Sequence, residues 1–125
     1  DVIHHAIRVS DLDRILAFYV DELGLTQTKK FESGDGATNV FVAGESDVEL
    51  QFKHYPDKEI ERSDNGVYDH VAIAVDDTDA EVERLCENGS ATLTRGPLDS
   101  DGADARVAFI EDPEGNGIEL VEEYD

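Results

Sequence analysis

The chain has 125 residues, with 31 acidic and 10 basic side chains that give a formal net charge of −21. That length suits one ordinary domain or two small fused modules and is enough to bury a core. So negative a chain repels nucleic acid phosphates and anionic membranes, and we expect neither as a partner. Its acidic surface is typical of halophilic proteins, in which concentrated salt screens the self-repulsion.

The cysteine usage indicates the compartment. A single cysteine, Cys86, cannot form an internal disulfide, which favours a reducing cytoplasm. No apolar run approaches the length that spans a membrane, and no signal peptide pattern opens the chain. We therefore expect a cytoplasmic protein.

The first half of the chain predicts one strand, one helix and three further strands. Residues 3–9 alternate as a strand does, and Ser10 has the features of a helix N-cap, with Asp13 at capping-box spacing. A helical apolar stripe follows and ends at Gly24. Further strands are predicted near 26–32, 38–43 and 47–53. Residues 1–54 form this first module.

The second half repeats the order after a polar linker at 55–66. A strand is predicted at 69–75, followed by a helix capped at Asp77 or Thr78 and ended near Gly89. Strands near 91–94, 106–110 and 117–122 complete this module, which spans 67–125. Each half is therefore βαβββ, and the pair is predicted to form one compact α+β domain.

Both modules carry a histidine in the first strand and a glutamate in the last. The four residues are His4 and Glu49 in the first copy and His70 and Glu119 in the second. Strand parity puts each of them opposite the bulky apolar side chains that pack on the helices. The face that carries them also carries small alanines, which is typical of a cavity wall.

Two imidazoles and two carboxylates suit one divalent metal ion such as Ni, Co, Zn or Fe(II). Four protein ligands leave two octahedral positions for water or for a chelating substrate. A metal there acidifies a neighbouring C–H bond, and a glutamate beside it carries the proton. Either histidine alone is more often an ordinary strand residue, and the glutamates are compatible with exposed strand acids; the duplication favours the metal hypothesis.

Several short motifs resemble the vicinal oxygen chelate superfamily, which includes glyoxalases, bleomycin resistance proteins and extradiol dioxygenases. The resemblance covers essentially the whole chain, and glyoxalase I (lactoylglutathione lyase) is the family that it fits best. The matching segments are His4-x-x-x-Arg8-Val9-x-Asp11-Leu12, Leu23-Gly24-Leu25, Val48-Glu49-Leu50, Asp69-His70-Val71-Ala72 and Asp112-Pro113-x-Gly115-x-x-Ile118-Glu119-Leu120.

The resemblance implies a fold, a site and a reaction. The tandem modules form a cupped mixed sheet around one metal ion, and the site is commonly completed across a homodimer. The implied ligands are His4, Glu49, His70 and Glu119. Glu119 is the leading proton-transfer base and Glu49 its partner. Such an enzyme converts the hemithioacetal of a 2-oxoaldehyde into a 2-hydroxyacyl thioester by enediolate proton transfer, as in methylglyoxal detoxification.

Cofactor and substrate contacts follow from the same resemblance. The short modules are similar to the compact family members that Ni or Co activates, while Zn, Mn or Fe remain alternatives. Arg8 lies where the family holds a carboxylate of the thiol, and Lys53 shares its strand face. Both are expected to bind an anionic thiol adduct, with pairing to neighbouring acids as the alternative role.

Four positions depart from the glyoxalase I pattern. Lys53 replaces an asparagine, Asp69 a glycine and Asn116 an aromatic residue, and acids occupy the stretch after Pro97 in which a basic residue is expected. These changes favour a thiol other than glutathione, such as γ-glutamylcysteine in a halophile.

Three other functions stay open. A methylmalonyl-CoA epimerase-like enzyme uses the same ligand layout, and Arg8 favours glyoxalase chemistry over it. An extradiol dioxygenase is disfavoured by Glu49, since oxygen chemistry suits three facing ligands. A bleomycin-resistance-like protein binds its ligand without turnover and generally lacks the four metal ligands.

Overall fold

The computed structural model describes residues 2–60, 68–100 and 104–124. The chain divides into two compact units, Asp1–Asp64 and Asn65–Asp125. Their boundary falls within the linker predicted at 55–66. Residues 61–66 of that linker lie outside the described residues.

The first unit contains four strands and one helical segment. Their bounds are β1 His4–Arg8, α1 Leu12–Leu16 with a π-helical continuation Ala17–Glu22, β2 Thr26–Glu32, β3 Thr38–Ala43 and β4 Glu49–His54. The sheet order is β1-β4-β3-β2. Strands β1 and β4 run parallel, and the remaining neighbours run antiparallel.

The second unit repeats this arrangement. Its elements are β5 Val71–Ala74, α2 Thr78–Glu87, β6 Thr92–Ser100, β7 Ala105–Glu111 and β8 Gly117–Glu123. The sheet order is β5-β8-β7-β6, again with the first and last strands parallel. The predicted α+β class and the tandem βαβββ order are thus confirmed, as two four-stranded mixed sheets.

The helix starts are set by aspartate side chains. Asp11 adopts an extended φ of −127°, and its carboxylate accepts a hydrogen bond of 3.1 Å from the Arg14 N–H. Asp77 does the same for the Ala80 N–H at 3.1 Å. The prediction of Ser10 as the first N-cap was therefore wrong by one residue, because Asp11 supplies the carboxylate oxygen that satisfies the free amide.

Each unit buries the apolar face of its sheet. In the first unit the Tyr19 ring packs on Phe52 of β4, with ring centroids 4.7 Å apart. Ile118 and Leu120 of β8 are fully buried in the second unit. His4 and His70 are exposed, which is the alternation that the strand parity predicts. The predicted ligands thus lie away from the apolar side of each sheet.

One strand is much longer than its hydrophobic pattern suggests. β6 was predicted near 91–94 but extends from Thr92 to Ser100, pairing with β7 across two register shifts. Pairing through a bulge does not need strict alternation, so the pattern stops before the strand does. Among the described residues, no helix combines the length and apolar character that a membrane crossing requires.

Candidate metal centre

The first candidate ligand pair lies where β1 and β4 begin. The parallel register places His4 directly opposite Glu49, and the Glu49 N–H donates to the Ile3 carbonyl at 3.0 Å. Paired residues of adjacent strands point to the same face of a sheet, so both side chains share one face. The His4 ring also packs edge-on against Phe41, with centroids 5.5 Å apart.

A hydroxyl group from β2, which β3 separates from β4 in the sheet, hydrogen-bonds to the Glu49 carboxylate. Thr28 of β2 donates to Glu49 Oε2, and its hydroxyl also lies 3.3 Å from the Phe41 carbonyl oxygen. Thr28 lies at the register shift between Gln27 and Lys29, which turns its side chain towards β4. The sequence analysis did not identify Thr28, since a bulge position carries no periodic signal.

The second candidate pair is in direct contact. His70 precedes β5, and its Nε2 lies 3.2 Å from Oε1 of Glu119 on β8. The His70 ring packs edge-on against Phe109, with centroids 5.8 Å apart, as His4 packs on Phe41. An aromatic support of this kind limits the ring rotations open to each histidine.

The Asp69 carboxylate hydrogen-bonds to the other ring nitrogen of His70. Its Oδ2 lies 2.6 Å from His70 Nδ1, so the imidazole stands between two carboxylates. The backbone here lies against Gly117, where an added Cβ would be 2.7 Å from the Asp69 carbonyl oxygen. The Tyr68 hydroxyl donates to the Gly117 carbonyl at 2.8 Å. Burial, with Asp112 and Asp69 nearby, raises the pKa of Tyr68 to about 12.

The two pairs are not in the same register. The Val9 N–H donates to the Lys53 carbonyl in the first unit, and the Val75 N–H donates to the Val121 carbonyl in the second, both at 2.9 Å. Val9 therefore corresponds to Val75, and Lys53 corresponds to Val121. The residue of β4 that corresponds to Glu119 is therefore Gln51, not Glu49. Gln51 is buried, and its amide donates to Asn39 Oδ1 at 2.8 Å. Glu49 and Glu119 hold different places along their strands, although their motifs look alike in sequence.

A cationic cluster lies at the other end of the β1–β4 ladder. Arg8 pairs with Lys53 in register, and the Tyr55 ring contacts both cations, with its centroid 4.8 Å from Arg8 Cζ and 5.5 Å from Lys53 Nζ. Lys58 Nζ lies 4.6 Å from the same ring. With about 3.3 Å per residue, the cluster is about 13 Å along the strand from His4.

Asp35 fixes this cluster from the β2–β3 turn. The Tyr55 hydroxyl donates to Asp35 Oδ2 at 2.6 Å, and Lys53 Nζ lies 3.5 Å from the same oxygen. The Ser33 and Tyr55 hydroxyls, the Ala37 N–H and the Lys53 charge hold the pKa of Asp35 well below its usual range. Tyr55 and Lys58, which the sequence analysis did not select, complete the group around Arg8 and Lys53.

The structure therefore places the six predicted site residues in three groups. These are His4 with Glu49, His70 with Glu119, and Arg8 with Lys53. Across residues 2–60, 68–100 and 104–124, no three His, Cys, Asp or Glu side chains lie close enough together to hold a metal ion. Each unit presents one imidazole beside one carboxylate, and such nitrogen and oxygen donors are of the types that borderline divalent metals accept.

Comparison with known proteins gives a consistent family. Residues 2–120 match the profile of the Glyoxalase/Bleomycin resistance protein/Dioxygenase superfamily. The chain is 33% identical to the lactoylglutathione lyase of Salmonella typhimurium over 132 residues, which cover 99% of this chain and 93% of that enzyme. It is 34% identical over 127 residues to the Haemophilus influenzae enzyme of the same name, covering 97% and 91%.

Solved structures give the same fold. The trypanothione-dependent glyoxalase I of Leishmania major superposes with a TM-score of 0.80 at 30% identity, covering 98% of this chain and 86% of that one. TnmS3, an antibiotic binding protein from Streptomyces sp. CB03234, superposes with a TM-score of 0.74 at 25% identity, covering 99% and 96%. Similar folds thus occur both in enzymes and in a binding protein.

The close approach at Gly117 generates a stability prediction. Gly117→Ala places a Cβ against the Asp69 carbonyl oxygen, so the β5–β8 junction must separate. We expect the free energy of unfolding in urea to fall by about 1–3 kcal/mol. Gly34→Ala, with no atom within 4 Å of its added Cβ, is the control and should change little. Equal stability of both variants would contradict the inferred close contact.

Proposed function

The chain belongs to the Glyoxalase/Bleomycin resistance protein/Dioxygenase superfamily, and on that basis we propose that it is a metal-dependent, glyoxalase I-like lyase. It would convert the hemithioacetal of a 2-oxoaldehyde such as methylglyoxal into a 2-hydroxyacyl thioester. One observation carries the proposal: each of the two units presents a histidine beside a glutamate. The chain that carries these pairs is about one-third identical to lactoylglutathione lyases.

The chemistry of the donor set fits a divalent metal. We propose His4, Glu49, His70 and Glu119 as the ligands of one ion, in a homodimer, with Ni or Co favoured and Zn, Mn or Fe as alternatives. Two carboxylates balance the charge of the ion, and two imidazoles suit its borderline softness. When bound, the metal supplies Lewis acidity, which polarises the substrate oxygens and makes the adjacent C–H bond more acidic.

The proposed reaction moves one proton between neighbouring carbons. Glu119 takes the proton from the carbon that carries sulfur and hydroxyl, and this proton returns to the former carbonyl carbon. The hydroxyl proton passes to the former carbonyl oxygen, which becomes the new hydroxyl group as the first oxygen becomes the thioester carbonyl. One carbon is oxidised as the other is reduced, so no external oxidant is needed. Thr28 holds Glu49 in place, which suits a ligand and partner. Among the described residues no hydroxyl group donates to Glu119. Its carboxylate is therefore freer to move than that of Glu49, as a group that carries a proton between two carbons must be.

The cationic cluster is the proposed binding site for the anionic end of the thiol. A substrate with carboxylates is repelled by a chain of net charge −21, and Arg8 and Lys53 counter that repulsion on the face that carries His4 and Glu49. The Tyr55 ring, which contacts both cations, stabilises them. Lys53 stands where the family has a neutral asparagine, so we infer a more strongly anionic substrate group at this end.

A second candidate function is ligand binding without turnover. The similarity to the antibiotic binding protein TnmS3 favours it, because that protein has a similar fold over nearly its whole length. Stoichiometric metal binding by His4, Glu49, His70 and Glu119 would count against this alternative.

The first experiment measures thioester formation from methylglyoxal with glutathione or γ-glutamylcysteine. Metal-free protein is loaded with Ni, Co, Zn or Mn in molar KCl, which screens the acidic surface. We expect turnover that requires metal. Metal binding without turnover would favour an epimerase or another lyase instead, and no metal binding would leave the ligand-binding alternative.

Glu119→Gln tests the proton-transfer role. We expect kcat to fall by about 10²–10⁴-fold at saturating metal, since an amide cannot accept the substrate proton. Metal content is measured in parallel, so that a lost ligand is distinguished from a lost base. Glu123→Gln removes the same charge from the same face of β8 and is the control. Retained activity in metal-loaded Glu119→Gln protein would refute the assignment.

Arg8→Gln and Lys53→Gln test the anionic subsite. Each should raise KM about 10- to 100-fold with kcat nearly unchanged, because a lost charged hydrogen bond weakens ground state and transition state alike. Lys30→Gln removes an exposed cation from β2 of the same unit and should leave KM within about twofold of the native value. A KM that responds equally in all three variants would indicate only a general charge effect.

A further inference from the structure

We propose that Asp69 is a positioning residue that fixes the tautomer and orientation of His70, so that Nε2 is the metal-binding nitrogen. The inference rests on the proposed metal site but not on the proposed reaction. Asp69 stands where glyoxalase I has a glycine, so the family pattern assigns it no role.

The hydrogen bond on Nδ1 decides which nitrogen is free. Asp69 Oδ2 lies 2.6 Å from His70 Nδ1, which is at the short end for a hydrogen bond to a carboxylate. An ionised carboxylate only accepts, so Nδ1 must carry the proton. In a neutral imidazole Nε2 then has the lone pair, and this is the atom that lies 3.2 Å from Glu119 Oε1.

The backbone around Asp69 is held more firmly than its side chain. Gly117 lets the Asp69 carbonyl lie against β8, and the Tyr68 hydroxyl bonds to the Gly117 carbonyl at 2.8 Å. The Asp69 side chain, by contrast, is 93% exposed. Removing its carboxylate therefore takes away one hydrogen bond to His70 without leaving a cavity in the core.

The other histidine has no such support. His4 follows Ile3, and in the part of the chain that the structure describes no carboxylate hydrogen-bonds to its Nδ1. Of the two candidate pairs, the one with His70 and Glu119 is thus already ordered for binding. A carboxylate behind a ligating imidazole typically improves metal affinity 10- to 100-fold, because it fixes the ring and makes it a better donor.

The test measures Zn²⁺ affinity by competition with a chromophoric chelator. We expect Asp69→Ala to raise the dissociation constant about 10- to 100-fold. Asp69→Asn should recover most of the affinity, since its carbonyl oxygen still accepts from Nδ1–H. Asp76→Asn, at the opposite end of β5, removes one exposed acidic charge and is the control. Unchanged affinity in Asp69→Ala, or an equal loss in Asp76→Asn, would overturn the proposal.

A spectroscopic measurement on the native sequence reports the tautomer of His70 directly. In the Zn²⁺-loaded protein, ¹⁵N imidazole spectra should show His70 protonated at Nδ1, with its resonances identified by their shift in Asp69→Asn. Protonation at Nε2 instead would overturn the proposal. A protein that binds metal in this way but does not turn over methylglyoxal would refute the proposed reaction and leave the role of Asp69 intact.

Discussion

The parallel pairing of the first and last strand in each unit is the constraint on which the candidate centre depends. A βαβββ unit brings β1 beside β4 and β5 beside β8, although the paired residues lie far apart in sequence. The helix covers one face of each sheet, so the histidine and the glutamate are left on the other. Each unit therefore presents one histidine beside one glutamate as candidate ligands: His4 lies on β1, and His70 lies immediately before β5.

The charge distribution sets a second condition on that face. With 31 acids against 10 bases, a carboxylate-bearing substrate meets repulsion over most of the surface. Arg8, Lys53 and Lys58 gather around Tyr55 in the same unit that carries His4 and Glu49. Three cations are thus gathered about 13 Å along the strand from the first histidine. That separation suits a substrate with its reacting carbon at one end and its charge at the other.

The periodic features could be predicted from the sequence, and the features set by single contacts could not. Strand alternation and the two helices follow from hydrophobic spacing, and the duplication pointed to His4 and His70. Ser10 and Asp11 are both good N-caps, and only the backbone conformation selects Asp11. The register that aligns Glu119 with Gln51 depends on interstrand hydrogen bonds, which no motif reports. Thr28 acts from a bulge, where the strand period is broken.

Two of the four departures from the family pattern, Lys53 and Asp69, each contact neighbouring side chains. Lys53 lies beside Asp35 and the Tyr55 ring, and its own pKa is raised through its contact with Tyr55 and the nearby Asp35 charge. The Asp69 carboxylate hydrogen-bonds to His70, and the Asp69 backbone lies against Gly117, whose missing side chain permits this close approach. A cation has been added where substrate charge is expected, and an anion behind a candidate metal ligand. General surface acidification adds only acids, so it does not account for the cation at Lys53.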